Sequence, residues 1–377
     1  MQKKLFFPEL ESLRGIAALM VCFFHIYHWH IFKNAGVISD FNIFVDFFFV
    51  LSGFVITLNF SNIITDGSSY KAYLIKRFFR VYPLFLVTSI PYFVISILKT
   101  YFHASSFRIN YFSVPEFLSY ITLTFKWGFV DKFIFNAPTW SISVELLLYI
   151  IAGYIFTLKK SRAVNIALNL LIISVSLFIL IIFSQSLIVS GSRLAIFRGS
   201  LSFFLGGLIA YGYQIKQVRR FTIQSALTKN ACLFLILALV ATGFYFMRTS
   251  SYTSFAFPLL WAAFIYFIIS KNFPLYVAAF LNLQYILYLG TISYSLYLIH
   301  PMAIFVMEKI FKRESLETND MVSLVAIPFY IALLVITASV TYRYIEKPGK
   351  QLYTKIGFLS LKKGDALIAG SAASAKT

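Results

Sequence analysis

Apolar runs of about 20 residues, separated by short basic or polar segments, recur along the chain from residue 12 to residue 343. A helix that crosses a hydrocarbon layer about 30 Å thick needs about 20 mainly apolar residues. The sequence therefore predicts an all-α fold, a polytopic membrane protein built as a bundle of about ten transmembrane helices. The candidate spans are 12–32, 41–60, 81–100, 139–158, 164–184, 196–213, 231–248, 253–270, 284–307 and 321–343.

The composition excludes a water-soluble chain and a disordered one. Of the 377 residues, 59% are hydrophobic, 19% are aromatic and 12% are charged. A soluble protein carries about 25% charged residues, and a disordered chain is poor in aromatic residues. Because Cys22 and Cys232 both lie inside apolar runs, neither a disulfide framework nor a cysteine zinc site is expected.

The positions of the basic residues predict which side of the membrane each loop occupies. Lys and Arg number 33 against 14 Asp and Glu, a net charge of +19. In a soluble protein this excess would suggest nucleic acid, but here most basic residues lie between apolar runs, where they favour anionic lipid. If the N-terminus is inside, 20 of the 33 fall on the inner side and 11 on the outer side. We therefore predict cytoplasmic termini, one transmembrane domain over 1–350 and a cytoplasmic tail over 351–377.

Four ionisable side chains lie inside four different predicted spans: His25, Asp46, Glu145 and His300. Such groups cost several kcal/mol within a bilayer and by default mark function. At about 1.5 Å of rise per residue, all four fall about 20–24 Å from the inner face. The sequence therefore predicts that these side chains converge on one buried site.

Each of these residues also has a structural alternative. His25 could be a neutral histidine bonded to a backbone carbonyl, and Asp46 could favour the positive end of a helix. His300 precedes Pro301, whose ring frees a carbonyl one turn back. Two histidines and two carboxylates could also bind a metal, but no pair has i, i+4 spacing on one helix, so no metal site is predicted.

A second group of charges follows the second span, in the segment KAYLIKRFFRVYPLF. Arg77 and Arg80 are three residues apart and share a helical face, where paired guanidiniums suit phosphate; an anchor for anionic lipid is the alternative. Arg14 lies eleven residues before His25, within about 20° of the same helix face and about 16 Å lower. A ligand with charged phosphates and a long thin arm would fit this geometry, and coenzyme A (CoA) is such a ligand.

Six stretches resemble, in this order, the acyltransferase family 3 membrane proteins: LESLRGIAALMVCFFHIYHW, FVDFFFVLSGFVI, KRFFRVYPLF, APTWSISVELLLYI, GTISYSLYLIHPM and YIEKP. The resemblance extends from about residue 8 to residue 350. It implies a ten-span, acyl-CoA-dependent transferase of the bacterial inner membrane that modifies hydroxyls of surface glycans such as O-antigen. Arg14, Arg77 and Arg80 match the family's conserved arginines, His25 its essential histidine, and Glu145 the acid of its fourth-span motif.

The resulting hypothesis is O-acyl transfer, most often of acetyl, from acyl-CoA to a hydroxyl of a surface glycan or a lipid-linked oligosaccharide. The three arginines would hold the CoA phosphates, and His25 would be the general base. Glu145 or Asp46 would orient its imidazole, and His300 is the next candidate for the base. An acyl-histidine intermediate stays open, as does a need for a separate partner, because many family members carry an esterase-like domain after the last span. A transporter or flippase of a glycan or small solute is the alternative function.

Overall fold

A computed structural model describes residues 6–33, 36–102, 113–128, 135–158, 161–184, 186–189, 192–215 and 223–352. Within these residues the chain is helical and contains no strand, which confirms the predicted all-α class. The helices are α1 (Pro8–Phe24), α2 (His30–Lys33), α3 (Phe44–Phe60), α4 (Gly67–Phe102), α5 (Val114–Ile121), α6 (Trp140–Thr157), α7 (Arg162–Phe183), α8 (Ala195–Gln214), α9 (Ala226–Met247), α10 (Phe257–Ile269), α11 (Leu275–Leu281), α12 (Gln284–Thr291), α13 (Ser293–Ile310), α14 (Arg313–Thr318) and α15 (Asp320–Thr341).

Eight helices of the described residues are long and apolar enough to cross a membrane, or nine if the bent pair α12 and α13 forms one span. These nine correspond in order to the second to tenth predicted spans. The first predicted span, 12–32, is instead divided: α1 has 17 residues, and a turn separates it from the four-residue α2. Against the predicted ten, the described residues contain eight or nine spans by length and hydropathy, with α1 as a shorter apolar helix.

Helix α4 differs most from its predicted span of 81–100. It begins at Gly67 and has 36 residues, a length of about 54 Å that exceeds the roughly 30 Å of a hydrocarbon core. The sequence interpretation began at Val81 because the four basic residues before it interrupt the apolar run. Arg77 and Arg80 consequently lie well inside a continuous helix rather than in the loop that precedes a span.

The ninth predicted span, 284–307, is broken rather than straight. Its two parts, α12 and α13, meet at Ile292 with a bend of 72°. A sharp bend in a helix needs a specific cause, and the hydrogen bonds that the break frees need new partners inside a membrane. Arg14 of α1 supplies a partner, because its side chain donates to the backbone oxygen of Gly290 beside the break.

The core of the bundle lies around α3 and α8. The span that includes α3 is 61% buried and α8 is 72% buried, whereas α7 and α9 are each 17% buried. The outer helices carry exposed Phe and Leu side chains, which is the pattern expected where a helix faces lipid. Of the predicted tail, Gln351 and Leu352 continue the last helix, and residues 353–377 lie outside the described residues.

Candidate active site

A cavity of about 370 Å³ opens between α1, α3, α4, α6 and α13. Aromatic and aliphatic side chains form most of its wall. Among the described residues, its charged lining consists of four cations and two carboxylates: Arg14, Arg77, Arg80, Lys350, Glu11 and Glu145. A mostly apolar pocket of this size with a few converging polar groups is typical of a small-molecule site. All three arginines that the sequence singled out therefore line one cavity.

Arg14 fastens α1 to the break between α12 and α13. Its Nη2 donates to the backbone oxygen of Gly290 at 2.8 Å, and its Nε donates to the Ser293 hydroxyl at 2.8 Å. Nη2 also pairs with Glu11 at 2.7 Å. The guanidinium thus satisfies a carbonyl that the broken helix leaves without its usual partner, while its side chain still lines the cavity.

Two glycines allow this close approach of α1 and α12. A Cβ atom at Gly15 would lie 2.6 Å from the backbone carbon of Leu289, and a Cβ at Gly290 would collide with the backbone of Glu11. Contacts under 3.0 Å with backbone atoms cannot be relieved by moving a side chain. The Arg-Gly pair at 14–15 therefore acts as a unit, because the glycine brings the helices together and the arginine bonds across the contact.

Arg77 is buried, with 6% of its surface exposed. Its guanidinium carbon lies 4.7 Å from the ring centroid of Phe60, and the rings of Tyr73 and Tyr149 lie at 5.9 and 5.8 Å. Its Nε is buried without a hydrogen-bond partner in the described part of the chain. An anchor for lipid headgroups would leave the guanidinium exposed, so this burial argues for a ligand in the cavity instead.

Glu145 faces the cavity but does not contact His25. Its Oε1 accepts hydrogen bonds from the Ser52 hydroxyl at 2.6 Å and the Tyr149 hydroxyl at 2.5 Å. The carboxylate also interacts electrostatically with Arg80. The structure therefore places Glu145 with the arginines, and the expectation that it orients the imidazole of His25 is not met.

His25 and His300 lie side by side, with ring centroids 4.5 Å apart. Nδ1 of His25 donates to the backbone oxygen of Val21 at 2.9 Å, and Nδ1 of His300 donates to that of Tyr297 at 2.8 Å. Because each Nδ1 carries the proton, each Nε2 keeps its lone pair. Nε2 of the fully buried His300 has no hydrogen-bond partner within the described residues. The pair can therefore accept a proton.

Asp46 belongs to a different cluster, which corrects the expectation that it meets His25. It forms an ion pair with Arg198 of α8 at 2.7 Å, and the side chains of both are 0% exposed. The Ser202 hydroxyl donates to the same carboxylate at 2.9 Å, and the Arg198 guanidinium lies 5.2 Å from the Trp140 ring centroid. A buried charge needs a paired partner, and α8 supplies it where it packs on α3.

Arg198 was not among the predicted site residues, although the sequence contained a signal for it. Arg198 lies inside the apolar run 196–213, so the cost of burying a charge, which selected Asp46, also applies to it.

The structure gives no support for a metal site: no group of three His, Cys, Asp or Glu side chains among the described residues could hold a metal ion.

Tyr297 connects the cavity to the histidine pair. It lines the cavity, and its ring centroid lies 6.0 Å from that of His300. Its hydroxyl is bonded to the backbone oxygen of Pro138 at 2.9 Å and to Ser141 at 2.8 Å. The site thus has two parts, a cationic cavity and a buried histidine pair. The α1 segment and α13 each contribute side chains to both parts.

Comparisons with known proteins agree with this architecture. An acyltransferase domain model, that of acyltransferase family 3, matches residues 7–343. ORF330 of Acidianus two-tailed virus, provisionally named an acetyltransferase, is 24% identical over 78% of this chain and 82% of its own length. The O-acetyltransferase OatA of Staphylococcus aureus is 23% identical over 95% of this chain, which spans 60% of the length of OatA. An uncharacterized Haemophilus influenzae protein is 32% identical over 37% of this chain and 58% of its own length.

No solved structure matches the chain. The family match nevertheless covers the three arginines and the two histidines, from the start of α1 to the turn after α15. Together with the apolar helices, it identifies a membrane protein with an acyltransferase domain. The chain belongs to acyltransferase family 3.

Proposed function

We propose that the protein transfers an acyl group, most often acetyl, from acyl-CoA to a hydroxyl of a cell-surface glycan or lipid-linked oligosaccharide. The observation that carries this proposal is the cavity in which Arg14, Arg77 and Arg80 meet. Three guanidiniums in one partly closed cavity suit the phosphates of CoA, because charge-assisted hydrogen bonds are stronger where water is excluded. Acetyl is favoured because the named relatives are acetyltransferases.

The length of α1 relates the phosphate site to the reacting atoms. Arg14 and His25 are eleven residues apart on a helix that is continuous to Phe24, a separation of about 16 Å. Both side chains face the pair α12 and α13, since Arg14 bonds to Gly290 and His25 contacts His300. We expect the pantetheine arm of the donor to follow this face, past Tyr297, toward the histidines.

In the proposed reaction, Nε2 of His25 takes the proton from the acceptor hydroxyl. The acceptor oxygen then forms a bond to the carbonyl carbon of the thioester, and the carbon–sulfur bond breaks. The imidazolium returns its proton to the leaving thiolate, so that the products are the ester and free CoA. His25 is preferred to His300 as base because it is part-buried rather than fully enclosed. In both histidines the Nδ1–H bond to a backbone oxygen fixes the tautomer that this step needs.

The proposed setting is the inner membrane of a bacterium, with the cavity opening toward the cytoplasm and both termini on that side. The cavity extends along α3 to its end at Phe60 and includes the start of α1 and the turn after α15, and the donor is a cytoplasmic metabolite. The histidine pair lies toward the opposite end of α1, which favours an acceptor that arrives from the periplasmic side.

The test uses full-length protein in lipid nanodiscs, acetyl-CoA, and surface glycan from cells that lack the gene. We expect thiol release from acetyl-CoA that depends on the glycan, and a glycan product whose mass increases by one acetyl group. His25→Ala should lower the rate of both signals by about 10²–10⁴-fold while acetyl-CoA still binds. Movement of labelled glycan across a vesicle membrane without thiol release would instead support the transporter.

A further inference from the structure

Lys350 is a fourth cation of the cavity that the motifs did not indicate. It follows α15 through a π-helical turn, Tyr342–Glu346. A π turn contains one extra residue, so it rotates the residues after it by about 100° relative to an uninterrupted α-helix. Tyr342 and Lys350 both line the cavity, and the ammonium lies 5.5 Å from the Tyr342 ring centroid. The turn therefore directs the end of this helix to the donor site.

Glu346 holds Lys350 in place. Its Oε1 accepts a hydrogen bond from Nζ of Lys350 at 2.5 Å, and its Oε2 accepts one from the Ser295 hydroxyl of α13 at 2.6 Å. The two partners differ in exposure, since the side chain of Lys350 is 31% exposed and that of Glu346 is 1% exposed. The carboxylate is fixed in the protein, whereas the flexible ammonium can reach a new partner.

The same segment is packed firmly against the helix that carries the arginine pair. A Cβ atom at Gly349 would lie 2.9 Å from Cγ of Pro83, so a larger residue would displace the segment from α4. Lys350 consequently lies within electrostatic range of Arg80 and Arg14. Neighbouring cations repel each other unless anions accompany them, and Glu346 is the anion that pairs with Lys350.

We propose that Lys350 binds a phosphate of the acyl-CoA donor and that Glu346 is its internal counter-ion, which the phosphate replaces when the donor enters. This inference rests on the proposed function, because it assigns a further ligand of the same donor. The alternative source of phosphate is a lipid headgroup at the cavity mouth. A purely structural i, i+4 pair that stabilises the helix end is the remaining explanation.

The test measures acetyl-CoA affinity by titration calorimetry on the full-length protein in nanodiscs. Lys350→Ala should bind acetyl-CoA about tenfold more weakly, because it loses a charge-assisted hydrogen bond at a partly exposed site. Glu346→Gln should bind it several-fold more tightly, since glutamine still bonds to Ser295 but no longer competes for the ammonium. Lys347→Ala, at an exposed position three residues away, is the matched control and should bind as the wild type does.

Two further comparisons separate the explanations. S-acetylpantetheine has no nucleotide phosphates, so its affinity should be the same for the wild type and Lys350→Ala. Nanodiscs of phosphatidylcholine and of phosphatidylglycerol distinguish donor from lipid: if Lys350→Ala weakens acetyl-CoA binding only in phosphatidylglycerol, Lys350 acts through an anionic headgroup and the inference is overturned.

The outcomes also separate this inference from the function on which it rests. If the wild type binds acetyl-CoA and Lys350→Ala binds it equally well, Lys350 is structural and the inference fails alone. If Glu346→Gln weakens acetyl-CoA binding as much as Lys350→Ala does, the pair acts as one structural unit. The proposed replacement of Glu346 by a donor phosphate is then refuted. If the wild type does not bind acetyl-CoA, the proposed donor and this inference fail together.

Discussion

Neutralising Asp46 should destabilise the protein without removing its catalytic base. Asp46 and Arg198 are both fully buried, and Arg198 Nε and Nη2 donate to the two carboxylate oxygens over 2.7–3.3 Å. Asp46→Asn keeps the side-chain volume but leaves a buried guanidinium without its charge partner. Breaking a buried pair in this way costs about 3–5 kcal/mol, which lowers the folded-to-unfolded ratio by more than about a hundredfold.

The assay is the temperature at which purified protein loses its monodisperse peak in size-exclusion chromatography. Asp46→Asn should lower that temperature strongly, and Asp46→Asn with Arg198→Gln should recover part of the loss because no unpaired charge remains. Ser202→Ala removes one hydrogen bond to the carboxylate and should cost less, about 1.5–3 kcal/mol. A normal unfolding temperature for Asp46→Asn together with a large fall in transfer rate would refute this reasoning and return Asp46 to the catalytic machinery.

Three other predictions concern the site and the topology. His25→Ala should lower the transfer rate by about 10²–10⁴-fold while acetyl-CoA affinity stays near that of the wild type, and a near-normal rate would reassign catalysis to His300. Arg77→Ala should weaken acetyl-CoA binding by about tenfold or more in protein that is still inserted, with the exposed Arg162→Ala as control; equal affinities would favour a lipid anchor. Reporter fusions should read cytoplasmic after Lys71 and periplasmic after Arg248, and the opposite pattern would invert the topology.

The fold class was predictable because hydropathy alone selects spanning helices. The geometry of α1 was also accessible from sequence, since a fixed rise and rotation per residue set the relation between Arg14 and His25. Both residues indeed face α12 and α13. Depth along separate helices was a weaker guide, because it says nothing about which helices are neighbours. Asp46 and Glu145 were expected at one level with His25. Asp46 instead pairs with Arg198 of α8, and Glu145 lines the cavity.

Two boundaries were wrong because hydropathy does not follow the backbone. Hydropathy reports where a helix contacts lipid, so it placed the start of the third span after the basic residues, although the helix α4 already includes them. The bend at Ile292 was hidden for the opposite reason, because both sides of the break are apolar. Its stabilising partner, Arg14, is 276 residues away from Gly290 in the chain, and a contact of that range leaves no local pattern.

The break between α12 and α13 connects the donor site to the histidine pair. Arg14 holds the joint through Gly290 and Ser293, and His300 lies seven residues beyond Ser293 on the same rigid helix, about 10 Å along its axis. A donor that draws the guanidinium toward its phosphates should therefore also move the part of α13 that carries His300, the neighbour of the proposed base His25. The two substrates should consequently sense each other, so that the apparent KM for the acceptor depends on donor concentration even though the two never compete for one surface.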